Sequence, residues 1–422
     1  MEKLLKTLKF LIPTSLFKAL QPLYHSTLAV VGALWYQFPS RKLYVVGITG
    51  TNGKTTTATL LYKIATALGY KAGLISTVEN VIAGEVRHTT HTTPDPISLN
   101  KIFRDMVNAG CTHVFMEVSS HALDQNRVMG VHFVGGIFTN LTHDHLDYHK
   151  TFENYFEAKK KFFRMLPAGT FALSNTDSAF GNKMLEGIKA NAFSYGFSGN
   201  ENFHGEIKEI KREGLDLIFN GVDVHSTLLG EFNAYNLLAA WSACTLLGFD
   251  MEKVNLLLKD IEPPTGRFQH FTSSNGVLVI VDYAHTPDAL ENVLKTIRAS
   301  FADSKVISIF GCGGDRDPMK RELMGHIGAQ LSDIAIFTSD NPRGEDPETV
   351  IEQMKTSLSS EDVKKVKTIS NRRDAILEGI RLAQKGDIIL CAGKGHEDYQ
   401  EIKGIKYHFN DMEEFKKAFG GS

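Results

Sequence analysis

From Leu43 onward, short β-branched runs alternate with stretches of helical period: LYVVGI, KTTTATLLYKIATALG, KAGLIS, and later THVFMEV and VGGIFTN. That alternation predicts a parallel α/β sheet. Between Gly196 and Gly230 the pattern changes to short alternating segments with turn residues, GEIKEIK, REGLDLIFNG and VDVHSTLLG. These predict antiparallel hairpins, inserted into that sheet or added at its edge. A helix follows around Asn233 to Leu247, and IEPPTGRFQ then carries two prolines and a glycine. Such chemistry stops a helix and can join two compact units, so a boundary falls near Arg267. Beyond it VLVIVDYAH, KVISIFGCGG, IAIFTSDNP and DIILCAGKG each run as a strand into a polar, glycine-containing loop and then a helix. This is the pattern of a second, Rossmann-like α/β domain with ligands at its strand ends. The expected division is a short helical segment over 1–40, a central domain over 41–266 and a C-terminal domain over 267–422.

Composition narrows the function classes. Of 422 residues, 42% are hydrophobic and 22% charged, which excludes a disordered chain. Lys plus Arg total 46 against 48 Asp plus Glu, so no global field favours a polyanion, and no nucleic-acid partner is expected. Cys111, Cys244, Cys312 and Cys391 lie far apart, without the paired spacing of a structural zinc site or a disulfide framework. A reducing, cytoplasmic setting is expected.

The strand LYVVGI leads into TGTNGKTTT, with a helix starting at about Lys54. Gly50 and Gly53 let the backbone wrap a phosphate, Lys54 supplies a positive charge, and the Thr55 hydroxyl can reach a magnesium ion. This is a nucleoside-triphosphate loop, although the usual glycine spacing is missed by one residue, Gly47 lying six before Gly53.

Farther on, Phe152, Tyr155, Phe156, Lys159 and Phe163 fall on one helical face, so a lysine sits on an apolar stripe. A buried ammonium is costly unless paired or modified, the alternative being a side chain that snorkels to the surface. Lys160 and Lys161 point elsewhere and need no special account. His143, His145 and His149 have no zinc spacing.

TGTNGKTTT, HTTPD, MEVSSHALDQNRV, FTNLTHDHLDYH, YFEAKK, FNAYNLLAA, GCGGDRDPMKR, SDNPRGEDP and AGKGHEDYQ follow one another from about Leu43 to the C-terminus. In this order they resemble the Mur ligases, and within them the branch that adds meso-diaminopimelate as the third residue of the peptidoglycan stem peptide. The resemblance implies that ATP phosphorylates the acceptor's carboxylate, after which an amine attacks the acyl phosphate. Charge crowds near the γ-phosphate, so such a site needs magnesium and fixed cations rather than a nucleophile.

Residue by residue, the resemblance implies catalytic roles for Lys54, Glu117, His145 and Lys159. Thr55, Glu117, His145 and a carbamylated Lys159 (N6-carboxylysine) would hold two magnesium ions. ATP would lie on Gly50, Thr51, Asn52, Gly53, Lys54, Thr55, Thr56 and Asn140, with Asn233, Asn236, Arg267, Asp282 and His285 around the adenosine. Thr92, Thr93, Ser119, Gln125 and Arg127 would grip the muramoyl-dipeptide acceptor. Arg316, Asp340, Asn341, Arg343, Gly393 and Glu397 would select diaminopimelate, Arg343 holding its distal carboxylate. Taken singly, the hydroxyls and asparagines read as caps, Asp282 as a turn residue, and Arg343 as a surface ion pair with Glu345 or Asp346.

Full-length relatives carry about a hundred N-terminal residues, near the lower domain size, that grip the uridine diphosphate. Here some forty residues precede the loop. Leu4, Leu5, Leu8, Leu11 and Ile12 form an apolar face ringed by lysines, and an uncharged stretch runs from Ala19 to Ser40, weakened as a span by Pro22, His25, Ser26, Thr27 and Gln37. The expectation is a helical cap on the ligase domain, with weak peripheral membrane contact as the second choice. Other readings keep the chemistry with a polyglutamate or lipid-linked acceptor, or make the chain a non-catalytic nucleotide-gated binder.

Overall fold

The computed structural model describes residues 14–87, 89, 92–142 and 145–420. The face formed by Leu4, Leu5, Leu8, Leu11 and Ile12, and likewise His143, lie outside the described residues. The chain divides into two compact units. The first comprises Met1–Glu209, Leu215–Thr227 and Phe232–Ile261, and the second Ile210–Gly214, Leu228–Glu231 and Glu262–Ser422.

The first unit is built on β1 (Tyr44–Thr49), β2 (Ala72–Ile75), β3 (Asn80–Ile82), β4 (Glu85–Arg87), β5 (His113–Glu117), β6 (Phe133–Phe138), β7 (Phe171–Asn175), β8 (Asn191–Gly196), β9 (Phe203–Ile210), β10 (Leu215–Phe219) and β11 (Val222–Ser226). They form one sheet in the order β11-β10-β9-β8-β7-β6-β1-β5-β2-β3-β4. Strands β2, β5, β1, β6, β7 and β8 run parallel, and β10 and β11 pair antiparallel at one edge. The hairpins of the 196–230 region thus extend the sheet at its edge.

Two sheet glycines decide how closely one helix approaches, and a third leaves room for a ring of β7. A Cβ at Gly47 would meet the Phe162 ring at 2.6 Å, one at Gly136 the same ring at 2.9 Å, and one at Gly135 the Phe171 ring at 2.1 Å. The helix Phe152–Met165 therefore lies almost directly on the strands, with Tyr155, Phe156, Phe162 and Phe163 buried. Burial at about 25 cal/mol per Å² of apolar surface is what such close packing contributes.

Helix Thr14–Trp35 packs on helix Pro96–Asn108 at Gly32, where an added Cβ would stand 3.2 Å from Ile97 and 3.4 Å from Asn100, and Ala29 and Ala33 of the same helix are buried. Asn126 Nδ2 donates to Ser26 Oγ at 2.9 Å. Its outer side leaves Leu23, Val30, Val31, Leu34 and Trp35 exposed. Among the described residues no helix is long and apolar enough to cross a membrane.

The second unit contains β12 (Gln269–Thr272), β13 (Leu278–Asp282), β14 (Val306–Phe310), β15 (Ile334–Phe337), β16 (Val366–Thr368) and β17 (Ile388–Ala392), in the order β12-β13-β17-β14-β15-β16. All neighbours are parallel except β12 and β13. Leu278 and Ile280 face one apolar core while Val279 and Val281 face another, so both sides of the sheet are covered. A further hairpin, β18 (Tyr399–Ile402) with β19 (Ile405–His408), follows the last parallel strand. Beneath that strand's end the fully buried Arg372 pairs with Asp411 at 2.7 Å and donates to Ala392 O at 3.0 Å, which pins the start of the Gly393–Glu397 loop. Removing either partner would leave a buried charge uncompensated, at about 3–5 kcal/mol.

Candidate active site

The loop after β1 turns through Gly50 (φ 154°) and Gly53 (φ 84°). At Gly50 a Cβ would strike Thr139 Oγ1 at 1.9 Å, and at Gly53 it would strike Asn236 Oδ1 at 2.3 Å. Only glycine fits either position. Lys54, first residue of the helix Lys54–Ala67, folds back so that Nζ donates to Gly50 O at 3.0 Å and Thr51 O at 2.7 Å. Asn140 clasps the other side: its Oδ1 accepts from Asn52 N at 2.9 Å and its Nδ2 donates to Asn52 O at 3.2 Å. Thr56 is buried in the first helical turn. Asn236 Nδ2 donates to Asn233 Oδ1 at 3.0 Å, both side chains being buried. Asn236 therefore lies against the loop.

Glu117, at the end of β5, is fully buried. It accepts from the Thr55 hydroxyl at 2.8 Å, from Thr77 N at 2.7 Å and from the Thr77 hydroxyl at 3.2 Å. A hydroxyl and a carboxylate meeting at a helix N-terminus form the hard-oxygen set that magnesium takes. Thr77 was missed by sequence reasoning, because nothing in ISTVEN distinguishes it from a turn threonine.

Lys159 is 1% exposed, and its Nζ donates to Gly50 O at 2.7 Å and lies 4.5 Å from the centre of the Tyr155 ring. The snorkelling alternative is thereby set aside. The Tyr155 hydroxyl is 3.1 Å from Thr51 Oγ1, and the His145 ring lies 6.0 Å from the Tyr155 ring. His145 itself is exposed, at φ 54° in the loop beyond β6, with its ring 5.0 Å from that of His121.

Two neighbouring lysines need correction. Lys160 is also buried, and donates to Lys183 O and, at 2.6 Å, to Glu186 O. One residue round the helix it meets the end of the helix Gly181–Leu185, whose last carbonyls want a cation. Lys161 likewise is held by Leu123 O and Asn126 Oδ1.

Thr93, Ser119, Gln125 and Arg127 form one connected patch. Thr93 Oγ1 donates to Glu117 O at 2.9 Å and accepts from Ser119 N at 3.1 Å; Arg127 donates to Gln125 Oε1 at 2.8 Å and Thr93 O at 3.1 Å. The Thr92 and Thr77 hydroxyl oxygens lie within hydrogen-bond distance, 3.0 Å apart. Ser119 also caps the helix Ser120–Asp124, so its cap reading and its place in the patch are both realised.

In the second unit the strand ends converge as follows. Asp282 closes β13, its carboxyl accepting from Phe268 N at 2.8 Å and Ala284 N at 2.9 Å, and burial raises its pKa against the opposing pull of Arg267. Arg267 lies over the Tyr283 ring at 4.8 Å, and Tyr283 stands between His285 and His396, at 4.5 and 4.8 Å. Burial lowers the pKa of His285. His396, missed by sequence reasoning, has a buried Nδ1 without a hydrogen-bond partner among the described residues; burial first, then Arg267 and His285, push it down to about 4.

Arg343 (φ 50°) donates to Gly314 O at 2.8 Å and pairs with Glu401 at 3.5 Å, while Glu345 is taken by Arg321 at 2.7 Å. The expected alternative pair with Glu345 or Asp346 is thus replaced by one reaching into β18. Arg343 and the side chain of Arg316 both flank Gly313. Asn341 Nδ2 donates to Glu397 Oε2 at 2.8 Å, Asp340 lies 3.8 Å from where a Cβ of Gly393 would stand, and burial followed by Asp340 raises the pKa of Glu397.

Comparison with known proteins adds ancestry to this geometry. Mur ligase middle domain sequences match residues 48–244, and the Mur ligase glutamate ligase domain matches 266–395. The chain is 51% identical to the UDP-N-acetylmuramoyl-L-alanyl-D-glutamate--2,6-diaminopimelate ligase of Cytophaga hutchinsonii, over 91% of this chain and 79% of that one. With the protein of the same name from Parabacteroides distasonis it shares 52%, covering 93% and 81%. A solved structure of such a ligase superposes with a TM-score of 0.69 at 33% identity, covering 93% of this chain and 82% of that one. A folylpolyglutamate synthase from Mycobacterium tuberculosis reaches 0.72 at 18% identity over 94% and 96%, a likeness of fold.

His396 yields a pH test. Its folded pKa, about 4, lies below the ordinary 6.5, so the unfolded chain binds the extra proton between those values and stability is lost as pH falls from about 6.5 towards 4. In His396→Asn, denaturant melts of the protein should lose stability less steeply over that window than wild type. Parallel curves would show that the histidine protonates freely in the folded state.

Proposed function

The chain belongs to the Mur ligase family, and from that premise we propose that it is an ATP-dependent amide-bond ligase adding meso-diaminopimelate to the D-glutamate of a UDP-N-acetylmuramoyl-L-alanyl-D-glutamate-type acceptor in peptidoglycan precursor synthesis. The carrying observation is the cluster of Asp340, Asn341, Arg343 and Glu397, two carboxylates, an amide and a guanidinium. A substrate with one ammonium and one carboxylate at its far end complements that set; lysine, lacking the distal carboxylate, would add nothing to the contacts Arg343 already makes with Glu401 and Gly314 O. Residues 41–266 act as the triphosphate- and acceptor-binding domain and 267–422 as the amino-acid-binding domain in this reading, residues 1–40 standing as a helical segment before them.

Magnesium ions and ATP, when bound, supply charge neutralisation and the phosphoryl group that activates the acceptor. Thr55 and Glu117, 2.8 Å apart, would hold metal, and their hard oxygens fit it; His145, exposed in the loop beyond β6, takes its metal role from the family resemblance. Lys159 is the residue the family resemblance assigns to a carbamate, and its buried side chain, 1% exposed, ends at the Gly50 carbonyl inside the triphosphate loop, where a carbamate would face metal. Gly50–Thr56 and Asn140 would cradle the phosphates, and Lys54 would supply the positive charge beside them. Asn233, Asn236, Arg267, Asp282 and His285 serve the nucleoside, and Thr92, Thr93, Ser119, Gln125 and Arg127 orient the acceptor carboxyl group. Arg316 and Gly393 complete the amino-acid pocket.

Peripheral contact with a membrane belongs to the same reading. Leu23, Val30, Val31, Leu34 and Trp35 share the outward side of their helix, and the sequence before it is rich in leucine and lysine.

Phosphate release from ATP should require both diaminopimelate and a muramoyl dipeptide. Release that ignores diaminopimelate would sink the substrate assignment. Lys159→Ala should lower turnover by at least about 100-fold, a barrier change of about 2.7 kcal/mol, with partial rescue by short carboxylates. Full activity in that variant refutes the carbamate. In flotation assays the chain should rise with phosphatidylglycerol vesicles, and Leu34→Ser/Trp35→Ser should stay behind; no flotation of the intact chain ends the membrane proposal.

A further inference from the structure

We propose that Lys394 is a specificity-determining positioning residue of the amino-acid pocket, whose ammonium cancels the charge of Asp340 and orients the Asn341 amide so that Glu397 alone remains to receive the amine of the incoming amino acid. The inference deepens the diaminopimelate reading and rests on it.

Lys394 has 0% exposure, although it sits in a loop beyond β17 rather than in the core. The local backbone turns it inward: both neighbours are left-handed glycines, Gly393 at φ 114° and Gly395 at φ 54°, and a Cβ on Gly395 would strike Tyr283 at 2.6 Å. Once inside, Nζ meets Asn341 Oδ1 at 3.2 Å, Glu397 Oε2 at 3.6 Å and Asp340 Oδ1 at 3.7 Å, with the Tyr399 ring 5.7 Å away. A lysine buried this completely would be replaced at lower cost by a hydrophobic residue unless its charge were needed.

Two consequences follow from the partners. Asp340 Oδ1 is buried with no hydrogen-bond partner among the described residues, so the ammonium at 3.7 Å is its countercharge. The Asn341 carbonyl oxygen accepts from Lys394 Nζ and, at 2.9 Å, from Glu401 N, which forces the amide nitrogen towards Glu397. A flipped amide would set NH2 against an ammonium and an N–H, and oxygen against a carboxylate. Lys394 thus decides the orientation of a group that touches Glu397. Two carboxylates and one ammonium leave a net charge of −1, matched to one substrate ammonium, whereas without the lysine the pair would repel and share a proton.

Lys394→Met, Asp340→Asn and the double variant separate this from a packing role. Each is assayed for diaminopimelate-dependent phosphate release, with KM for ATP as the control. Lys394→Met should raise KM for diaminopimelate at least about tenfold, equivalent to about 1.4 kcal/mol, while KM for ATP holds. Asp340→Asn should raise it as well, by making the pocket neutral. The double variant restores one net negative charge and should bind diaminopimelate better than Asp340→Asn; this comparison also decides the matter if Lys394→Met alone does not fold. A double variant that is no better, that does not fold, or in which both KM values rise together makes Lys394 structural and overturns the inference alone. Wild-type protein indifferent to diaminopimelate overturns the substrate reading and the inference with it.

Discussion

An ammonium group with no path to water has to be satisfied by whatever the fold places in front of it, and Lys159 is such a group. Its Nζ ends on Gly50 O, inside the loop that would carry a triphosphate. That placement follows from how closely the helix Phe152–Met165 approaches the sheet, which in turn follows from Gly47 and Gly136 having no side chain beneath the Phe162 ring. A methyl group at either position would lift the helix and withdraw the lysine from the loop. Packing density and chemistry are here the same constraint.

The surrounding groups obey a similar economy. Glu117, fully buried, accepts from Thr55 and Thr77, and the Thr93 hydroxyl ties the backbone of that glutamate to Ser119 and thence to the helix Ser120–Asp124. A carboxylate held by three donors is oriented before any metal or nucleotide arrives, which is the preorganisation that charge-stabilising sites rely on. In the second unit the buried Arg372–Asp411 pair plays the supporting part, holding the carbonyl of Ala392 and so the first step of the loop that carries Lys394, His396 and Glu397.

Much of this was legible from residue order. The strand-loop-helix of TGTNGKTTT, the lysine on an aromatic stripe, the hairpin region at 196–230 and the four strand-end loops of the second unit depend on local period and on residue types with special backbone or charge chemistry. Lys160 shows the limit of that logic. Its helical phase sets it off the apolar stripe, yet it is buried, because a separate short helix ends at the same place and offers its carbonyls. Phase gives direction, and burial depends on what stands there.

The sequence by itself determined which elements form, where the glycines must turn the chain, and which charged side chains the fold would have to satisfy. Only the tertiary structure decided with whom they are satisfied: Thr77 with Glu117 across 40 positions, Lys394 with Asn341 across 53, Arg321 with Glu345 across 24, and Arg343 with Glu401 in a neighbouring hairpin. No period encodes such pairs, because each forms only after strands distant along the chain are brought side by side, and the cost of closing those loops is met by burying the sheets they belong to.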